Sequence, residues 1–311
     1  MFEKIKLLTV LGATATGKTK IAVALANELN GEILSADSRQ VYRNMNIGTG
    51  KDLDEYLING NHIPYHLIDI VDAGYKYNVF EYQRDFHKAY KDICLRNRQP
   101  VLCGGSGMYI EAVINGYNLP EVPVNKELRI ELEKLSDAEL INFLSSMKQL
   151  HNKTDYDTRK RLIRAVEIEI FRKSNHIELS HYDKLDNIYF GIIFNIDTRR
   201  KRITERLELR LKNGMIEEVK QLLESNIAAN DLIYYGLEYK FITLYLLGKL
   251  NYDEMKCQLN IAIHQFAKRQ MTWFKGMERR GAKINWIDGN LPFDEKVELI
   301  KRIFTNYVNV K

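Results

Sequence analysis

Short apolar runs alternate with amphipathic segments over the first 110 residues. Four runs have the length of buried strands and lie at residues 5–11, 32–36, 66–70 and 100–103. Between them, residues 21–29 and 79–96 carry apolar side chains at spacings of three and four, as helices do when they bury one face. This alternation predicts an α/β fold in which a parallel sheet has helices on both faces, so that ligands bind at the carboxyl ends of its strands.

The strand pattern stops after the fourth run and returns at residues 188–194. Ser136 and Asp157 are helix-start signals in the interval, and a long helix with apolar and basic faces is expected over residues 253–278. A last strand is predicted at residues 284–287. We therefore predict a core formed by residues 1–114 and 188–311, interrupted by a helical insertion at 115–187.

Composition is that of an ordinary globular protein. Of the 311 residues, 45% are hydrophobic and 28% are charged. No apolar run has the length of a membrane span, no signal peptide is expected, and Cys94, Cys103 and Cys257 lack metal-ligand spacing. We therefore expect a cytoplasmic monomer with reduced, mostly buried thiols and no membrane partner.

The net charge is +5, and the basic residues cluster in the second half of the chain. The clusters lie at residues 159–164, 199–210, 268–269 and 279–280. Two interpretations are open. They are solvated helix faces, since glutamates are interspersed, or they bind a polyanion such as nucleic acid.

A complete phosphate-loop motif follows the first apolar run. Its eight residues are Gly12, Ala13, Thr14, Ala15, Thr16, Gly17, Lys18 and Thr19. In this pattern the glycines let the backbone wrap around a phosphate at a helix N-terminus, the lysine adds a point charge, and the threonine hydroxyl can hold Mg²⁺. The motif predicts a bound diphosphate or triphosphate, with magnesium at Thr19, and leaves the reaction open.

Polar residues follow the other strands of the first half. Asp37 ends the second run, where an acid beside a phosphate loop can accept a proton from a nucleophile; a turn or cap role is the alternative. Asp69, in the third apolar run, resembles an acid that organises magnesium at a strand end. A turn or cap role is again the alternative. Residues 104–107, which include Ser106, could offer amides and a hydroxyl to a phosphate, or form a tight turn.

Eight segments resemble the tRNA dimethylallyltransferases and occur in that family's order over nearly the whole chain. They are the phosphate loop and residues 35–43, 45–51, 66–69, 104–106, 161–167, 214–219 and 266–274. The resemblance implies a P-loop NTPase-like fold. It also implies transfer of a dimethylallyl group from dimethylallyl diphosphate to N6 of the adenosine just 3′ of a tRNA anticodon.

The resemblance assigns roles at the donor site. Asp37 would hydrogen-bond the adenine amine and accept its proton. Ser106, where the family has threonine, would contact the diphosphate or orient a substrate, and the loop with Lys18 would stabilise the departing diphosphate. Arg206 is the arginine that we assign to the diphosphate, with Arg202 as the alternative.

The resemblance also assigns residues to the tRNA anticodon stem-loop, whose target base must leave its stack. These are Asp37, Ser38, Arg39, Gln40, Arg129, Lys160, Arg161, Leu162, Ile163, Arg164, Lys268, Arg269 and Gln270. The charge of these segments predicts strongly salt-dependent binding. Trp273 and Phe274 either stack on a base or pack a helix.

The chain departs from the family's pattern at three places. Gly50-Lys51-Asp52 replaces Ala-Lys-Pro, residues 106–109 replace Thr-Met-Leu-Tyr, and residues 235–240 keep part of Gly-Tyr-Lys-Glu.

Two other functions account for parts of the sequence. A small-molecule or nucleotide kinase fits the first 110 residues but not the basic second half. The other is a catalytically weakened RNA-binding paralogue; a paralogue that had lost catalysis would have no physical need to retain Lys18, Thr19 and Asp37 together.

Overall fold

The structure, a computed structural model, describes residues 6–148, 157–175 and 182–309. The strands of this part are β1 (Leu7–Gly12), β2 (Gly31–Ala36), β3 (Leu57–Ile58), β4 (Asn61–His62), β5 (Tyr65–His66), β6 (Gln99–Gly104), β7 (Asn187–Ile193) and β8 (Ile284–Asp288). Six of them form one sheet in the order β5-β2-β6-β1-β7-β8, with every pairing parallel. The predicted parallel α/β sheet is confirmed.

Helices cover both faces of this sheet. In the larger of the two units described below, the helices are α1 (Lys18–Glu28), α2 (Val79–Leu95), α3 (Gly107–Ile114), α7 (Ile196–Lys212), α8 (Met215–Glu224), α9 (Ala229–Tyr234), α10 (Leu237–Leu246), α11 (Tyr252–Arg279) and α12 (Phe293–Asn309). The smaller unit contains α4 (Lys126–Leu132), α5 (Asp137–Met147) and α6 (Arg159–Asn175). Leu7 and Leu11 of β1 belong to one apolar cluster and Leu8 and Val10 to another. A strand's period of two sends these side chains to opposite faces, so each face needs its own helical layer.

The strand predicted at residues 66–70 is wrong for most of its length. β5 covers Tyr65–His66, and the backbone then turns at Leu67 and Asp69, whose φ angles are 65° and 55°. Left-handed backbone does not continue a strand. Asp69 accepts a hydrogen bond from the buried ammonium of Lys51, so a tertiary ion pair stabilises this turn.

Other boundaries agree more closely with the sequence pattern. β1 begins at Leu7, while residue 5, the predicted start, lies outside the described residues. Ser136 caps α5 as predicted. α6 begins at Arg159 rather than at Asp157, because its first helical hydrogen bond is made to the carbonyl of the residue between them.

Two compact units divide the chain. The larger unit contains Met1–Gly116 and Asp183–Lys311, and the smaller unit contains Tyr117–Tyr182. Helices α4, α5 and α6 of the smaller unit surround an apolar cluster of their own. The sequence pattern places the insertion at residues 115–187, of which 149–156 and 176–181 lie outside the described residues.

Two sequence predictions concern the state of the cysteines and the presence of membrane-spanning helices. Cys103 is buried and Cys94 partly buried, whereas Cys257 is exposed, and all three are free thiols. Among the described residues, no helix combines the length and the apolar character that crossing a bilayer requires.

Candidate active site

The phosphate loop is wound tightly between β1 and α1. Ala15 and Gly17 have φ angles of 63° and 76°, and the Thr16 hydroxyl donates to the Ala13 carbonyl over 2.9 Å. A Cβ on Gly12 would lie 2.9 Å from the Thr16 hydroxyl oxygen, so only glycine fits there. A loop of this shape before a helix presents backbone N–H groups to an anion.

Lys18, the first residue of α1, carries a charge that no described residue pairs. Its ammonium forms no hydrogen bond or ion pair in the described parts of the chain. Burial lowers the pKa of Lys18 below 10.5; the charge of Arg206 lowers it further, while the charge of nearby Asp37 opposes the shift. Burial also raises the pKa of Cys103 to about 12, which leaves a neutral thiol beside the lysine. An anion placed in the loop would relieve the cost of this charge.

Asp37 and Ser106 meet at the carboxyl ends of β2 and β6. The two strands pair in register up to Ala36 and Gly104, and the Ser106 amide donates to the Ala36 carbonyl over 3.1 Å. The Ser106 hydroxyl accepts from the Ser38 amide at 3.1 Å. Asp37 is partly buried and its Oδ1 accepts from the Arg39 amide at 2.8 Å, so the predicted turn role and the strand-tip position coexist.

Helix α7 brings three arginines, spaced four residues apart, to the same edge. Arg202 Nε donates to the Ala15 carbonyl over 2.9 Å, so Arg202 stabilises the backbone of the phosphate loop. Arg206 Nη1 lies 3.4 Å from the Thr14 hydroxyl, and Arg206 lines a cavity beside the loop. Burial, with the charge of Arg210, lowers the pKa of Arg206 to about 10. The geometry thus favours Arg206 over Arg202 as the arginine that faces an anion.

That cavity also contains residues that sequence reasoning missed. Its lining consists of Thr14, Ala15, Ile203, Arg206, Leu207, Arg210, Glu238 and Ile263. Arg210 shares a helix face with Arg206 at a spacing of four, which is the signal that could have identified it. Burial raises the pKa of Glu238, and the charge of Arg210 opposes that shift.

Gln270, predicted to contact tRNA, lies beneath the phosphate loop. Its Oε1 accepts from the Thr14 amide at 2.9 Å, and its Nε2 donates to the Gly105 carbonyl at 3.0 Å. A Cβ on Gly105 would approach Nε2 to 2.4 Å, so the glycine makes room for the amide. By contrast, Lys268 and Arg269 on the same helix are exposed.

Both aromatic residues near the end of α11 make packing contacts, and Trp273 is also 37% exposed. Phe274 is fully buried. Trp273 Nε1 donates to Glu111 over 2.8 Å, and its ring lies where a Cβ on Gly107 would be, 2.1 Å from the nearest ring carbon. These contacts hold α11 against the start of α3.

The segment after Asp37 is held by buried polar groups. Gln40 is buried and donates to the Gly50 carbonyl at 3.0 Å, while Arg39 lies 5.4 Å from the Tyr234 ring centroid. Lys51 is fully buried, and its ammonium donates to the Tyr42 carbonyl and to Asn46 Oδ1 at 2.7 and 2.8 Å as well as to Asp69.

Glu218 completes this support from α8. Its carboxylate accepts from the amides of Asn46, Ile47 and Gly48 at 2.7, 2.7 and 3.0 Å, and from the Tyr239 hydroxyl at 2.6 Å. A carboxylate that accepts this many donors fixes the course of the backbone around it. Neither Lys51 nor Glu218 was predicted to have a role, although both lie in segments that carry the family resemblance.

In the smaller unit, two predicted tRNA-contacting arginines share one buried carboxylate. Arg129 donates to both oxygens of Glu167, at 3.0 and 2.7 Å, and Arg164 donates to Oε2. The Asn125 amide donates to the same carboxylate at 2.8 Å. Burial opposes ionisation of Glu167, but these donors outweigh it and hold its pKa below 4.5.

The remaining predicted tRNA residues of α6 divide by burial. Lys160 and Arg161 are exposed, and Arg161 pairs with Asp157 at 3.0 Å. Leu162 and Ile163 are 1% and 4% exposed and belong to the unit's own apolar cluster. Their side chains therefore stabilise the unit, and these two residues offer almost no exposed surface to a ligand.

A parallel sheet, a phosphate loop after β1 and an acid after β2, which lies two strands away in the same sheet, define a P-loop enzyme that handles a phosphorylated substrate. The model of the IPP transferase family matches residues 40–277, and that of the isopentenyl transferases matches residues 5–72. The chain belongs to the IPP transferase family, and it is a prenyltransferase. Its P-loop NTPase-like fold and its resemblance to the tRNA dimethylallyltransferases are confirmed.

Individual relatives match over almost the full length. The chain is 56% identical over 97% of its length to a tRNA dimethylallyltransferase of Parabacteroides distasonis, covering 98% of that protein. It is 57% identical over 95% to one of Bacteroides fragilis, covering 97% of it. The crystal structure of a tRNA isopentenylpyrophosphate transferase from Bacillus halodurans matches with a TM-score of 0.71 at 31% identity, over 97% of this chain and 96% of that one.

Proposed function

We propose that the protein transfers the dimethylallyl group of dimethylallyl diphosphate to N6 of the adenosine that follows the tRNA anticodon on its 3′ side, and releases diphosphate. One observation carries this proposal. The phosphate loop, Asp37 and Ser106 converge at the carboxyl edge of one sheet, in a chain 56–57% identical to enzymes named tRNA dimethylallyltransferase.

The phosphate loop is the donor side of this proposal. Lys18 and the loop amides bind the diphosphate, and Arg206 faces it from α7. Negative charge builds on the diphosphate as the allylic C–O bond breaks, so these contacts strengthen in the transition state and lower the barrier. The unpaired charge of Lys18 supports this role.

Magnesium fits the donor site as a partner of the substrate. Thr19 is the second residue of α1, where a phosphate-loop hydroxyl reaches a metal held by the phosphates. Within the described ranges, no three His, Cys, Asp or Glu side chains form a metal-binding group, which suits an ion bound mainly through diphosphate oxygens and water. When bound, Mg²⁺ would neutralise charge on the leaving diphosphate.

Asp37 is the acceptor side. The C–O bond breaks with its electron pair on the diphosphate, the N6–C bond forms, and the proton that N6 loses passes to the Asp37 carboxylate. The Ser106 hydroxyl is tied to the Ser38 amide, so it is placed to orient a group beside Asp37. The adenosine must leave its stack to reach this edge of the sheet.

The test is incubation with unmodified tRNA, Mg²⁺ and dimethylallyl diphosphate, followed by mass analysis of the nucleosides. We expect one adenosine per tRNA to gain a five-carbon prenyl group, located 3′ of the anticodon by nuclease mapping. ATP in place of the donor should remain intact, whereas a kinase would consume its γ-phosphate. Absence of prenylated adenosine with folded enzyme and tRNA would contradict the proposal.

A further inference from the structure

Asp52 forms an ion pair with two arginines at the mouth of the phosphate loop. Its Oδ2 lies 3.4 Å from Nη2 of Arg206 and 3.4 Å from Nη2 of Arg210. The Arg210 side chain is 13% exposed and that of Asp52 is 43% exposed, so the carboxylate meets the pair from the solvent side. Both arginines also line the cavity next to Thr14.

Gly50 makes this arrangement possible. A Cβ at position 50 would lie 1.7 Å from Arg210 Nη2 and 2.3 Å from Arg206 Nη2, so both guanidinium groups occupy the space that a side chain would need. Gly50 has a φ of 64° and Asp52 a φ of 45°. The two departures from the Ala-Lys-Pro pattern therefore belong together, because one makes room for two positive charges and the other supplies a negative charge.

The two neighbouring arginine charges would be stabilised by an anion. Burial lowers the pKa of Arg206 to about 10, and the neighbouring Arg210 lowers it as well. A single carboxylate at 3.4 Å is farther away than the roughly 2.8 Å of a strong charge-assisted hydrogen bond. It therefore balances the charge without satisfying the donors, and a diphosphate, with more oxygens and more charge, can replace it.

We propose that Asp52 is the resident counter-ion of Arg206 and Arg210, and that the donor's diphosphate displaces it on binding. Arg210 is then a second diphosphate-binding arginine, and Asp52 sets how tightly the diphosphate is held and how readily it leaves as product. This inference rests on the proposed function for the identity of the donor, but its anion site can be tested without turnover.

The test is titration calorimetry of the whole protein with inorganic pyrophosphate and Mg²⁺. Asp52→Asn should bind pyrophosphate roughly three- to tenfold more tightly, because no carboxylate competes for the arginines or repels the ligand. Asparagine tolerates left-handed backbone, so the loop should keep its course. Arg210→Gln should bind roughly tenfold more weakly.

Asp54→Asn is the matched control, since Asp54 lies in the same turn and is exposed, whereas the carboxylate that pairs with both arginines is that of Asp52. It should leave pyrophosphate affinity within twofold of wild type. In the Arg210→Gln background, Asp52→Asn should increase pyrophosphate affinity by a smaller factor than in the wild type. One of the two ion pairs of Asp52 is already absent there.

Unchanged or weaker pyrophosphate binding by folded Asp52→Asn would overturn the proposal; weaker binding would instead mean that the carboxylate helps to hold the magnesium complex. Prenylation of tRNA by the wild-type enzyme is assayed in parallel. If pyrophosphate affinity shifts as expected while no prenylated adenosine forms, the proposed function fails and the counter-ion role stands.

Discussion

At the scale of the residue, two lysines show how the same charge serves structure and binding. Burial lowers the pKa of both Lys18 and Lys51. Lys51 has three oxygen partners within the fold, so its charge stabilises the loop that contains it. Lys18 has no such partner among the described residues. Its charge is available for a ligand.

Replacing Lys18 tests that difference. We expect Lys18→Ala to lower prenyl transfer by at least about 100-fold, because the transition-state charge of the diphosphate loses its closest cation. The affinity for tRNA should stay within about twofold of wild type. Turnover assays and filter binding measure the two quantities, and unchanged turnover would remove Lys18 from the donor site.

The base role of Asp37 is separable from its turn role. Asp37→Asn keeps an oxygen that can accept from the Arg39 amide, but it cannot take up a proton. We expect the single-turnover rate to fall about 10²- to 10⁴-fold with donor and tRNA affinities nearly unchanged. A variant that loses tRNA affinity while its single-turnover rate persists would show that Asp37 binds the acceptor only.

At the scale of the element, α11 positions the donor site from a distance. Gln270 joins the loop after β1 to the loop after β6, and it lies one helical turn from Trp273, which anchors α11 to α3. The side-chain amide thus sets the spacing of two loops that hold opposite sides of the proposed site. Its charged neighbours Lys268 and Arg269 face outward from the same helix.

Gln270→Met should raise the donor KM about tenfold, because the partly buried Thr14 amide and the buried Gly105 carbonyl both lose their partner. Gln270→Glu keeps the acceptor for the Thr14 amide, so its donor KM should lie between those of Gln270→Met and the wild type. Lys268→Met is the contrasting variant, expected to weaken tRNA binding and leave the donor KM unchanged. A loss of tRNA affinity alone in Gln270→Met would return Gln270 to its predicted tRNA role.

Glu32 links β2 to its neighbours and makes stability depend on pH. Burial disfavours its charge, but hydrogen bonds from Arg96 and His66 outweigh it and hold the pKa of Glu32 below 4.5. A carboxyl whose folded pKa is depressed stabilises the fold above its unfolded pKa and loses that contribution as pH falls through the folded value.

Wild type should therefore be more stable than Glu32→Gln near neutral pH, by about 1–3 kcal/mol, and the difference should narrow as pH falls below about 4.5. Calorimetric unfolding midpoints between pH 7 and pH 3 measure it. Glu131→Gln, at an exposed position, is the control. A difference that persists unchanged at pH 3 would rule out ionisation of Glu32 as its cause.

At the scale of the whole molecule, the predicted donor-site residues and two of the predicted tRNA-contacting arginines lie in different units. The larger unit holds the phosphate loop, Asp37 and Ser106, while the smaller unit holds Arg129 and Arg164 on the shared carboxylate of Glu167. Such a division predicts that donor affinity and tRNA affinity can be changed independently.

We expect Glu167→Gln to weaken tRNA binding about five- to tenfold with the donor KM unchanged, because both arginines lose the anion that fixes their orientation. Arg164→Met should also reduce the slope of tRNA affinity against salt by about one, whereas Glu167→Gln, which keeps both cations, should leave that slope unchanged. Equal loss of donor affinity in Glu167→Gln would show a coupling of the two tasks.

The parallel α/β fold, the phosphate loop, and the proximity of Asp37 and Ser106 at strand ends all follow from the chain's own pattern. Each of these features depends on a contiguous segment or on the period of two in a buried strand. Local backbone geometry is therefore enough to predict them from the sequence. The same holds for the long helix α11 and for the Ser136 cap of α5.

The tertiary structure decided which side chains meet across long separations. Gln270 lies 256 positions from Thr14 and Arg210 lies 158 from Asp52, and no local period relates such pairs. Leu162 and Ile163 lie in a segment that the resemblance assigns to tRNA contact, yet packing directs their side chains into a core. Contacts of this kind depend on how the elements pack in three dimensions, and the order of residues along the chain does not contain that information in a form that local rules can extract.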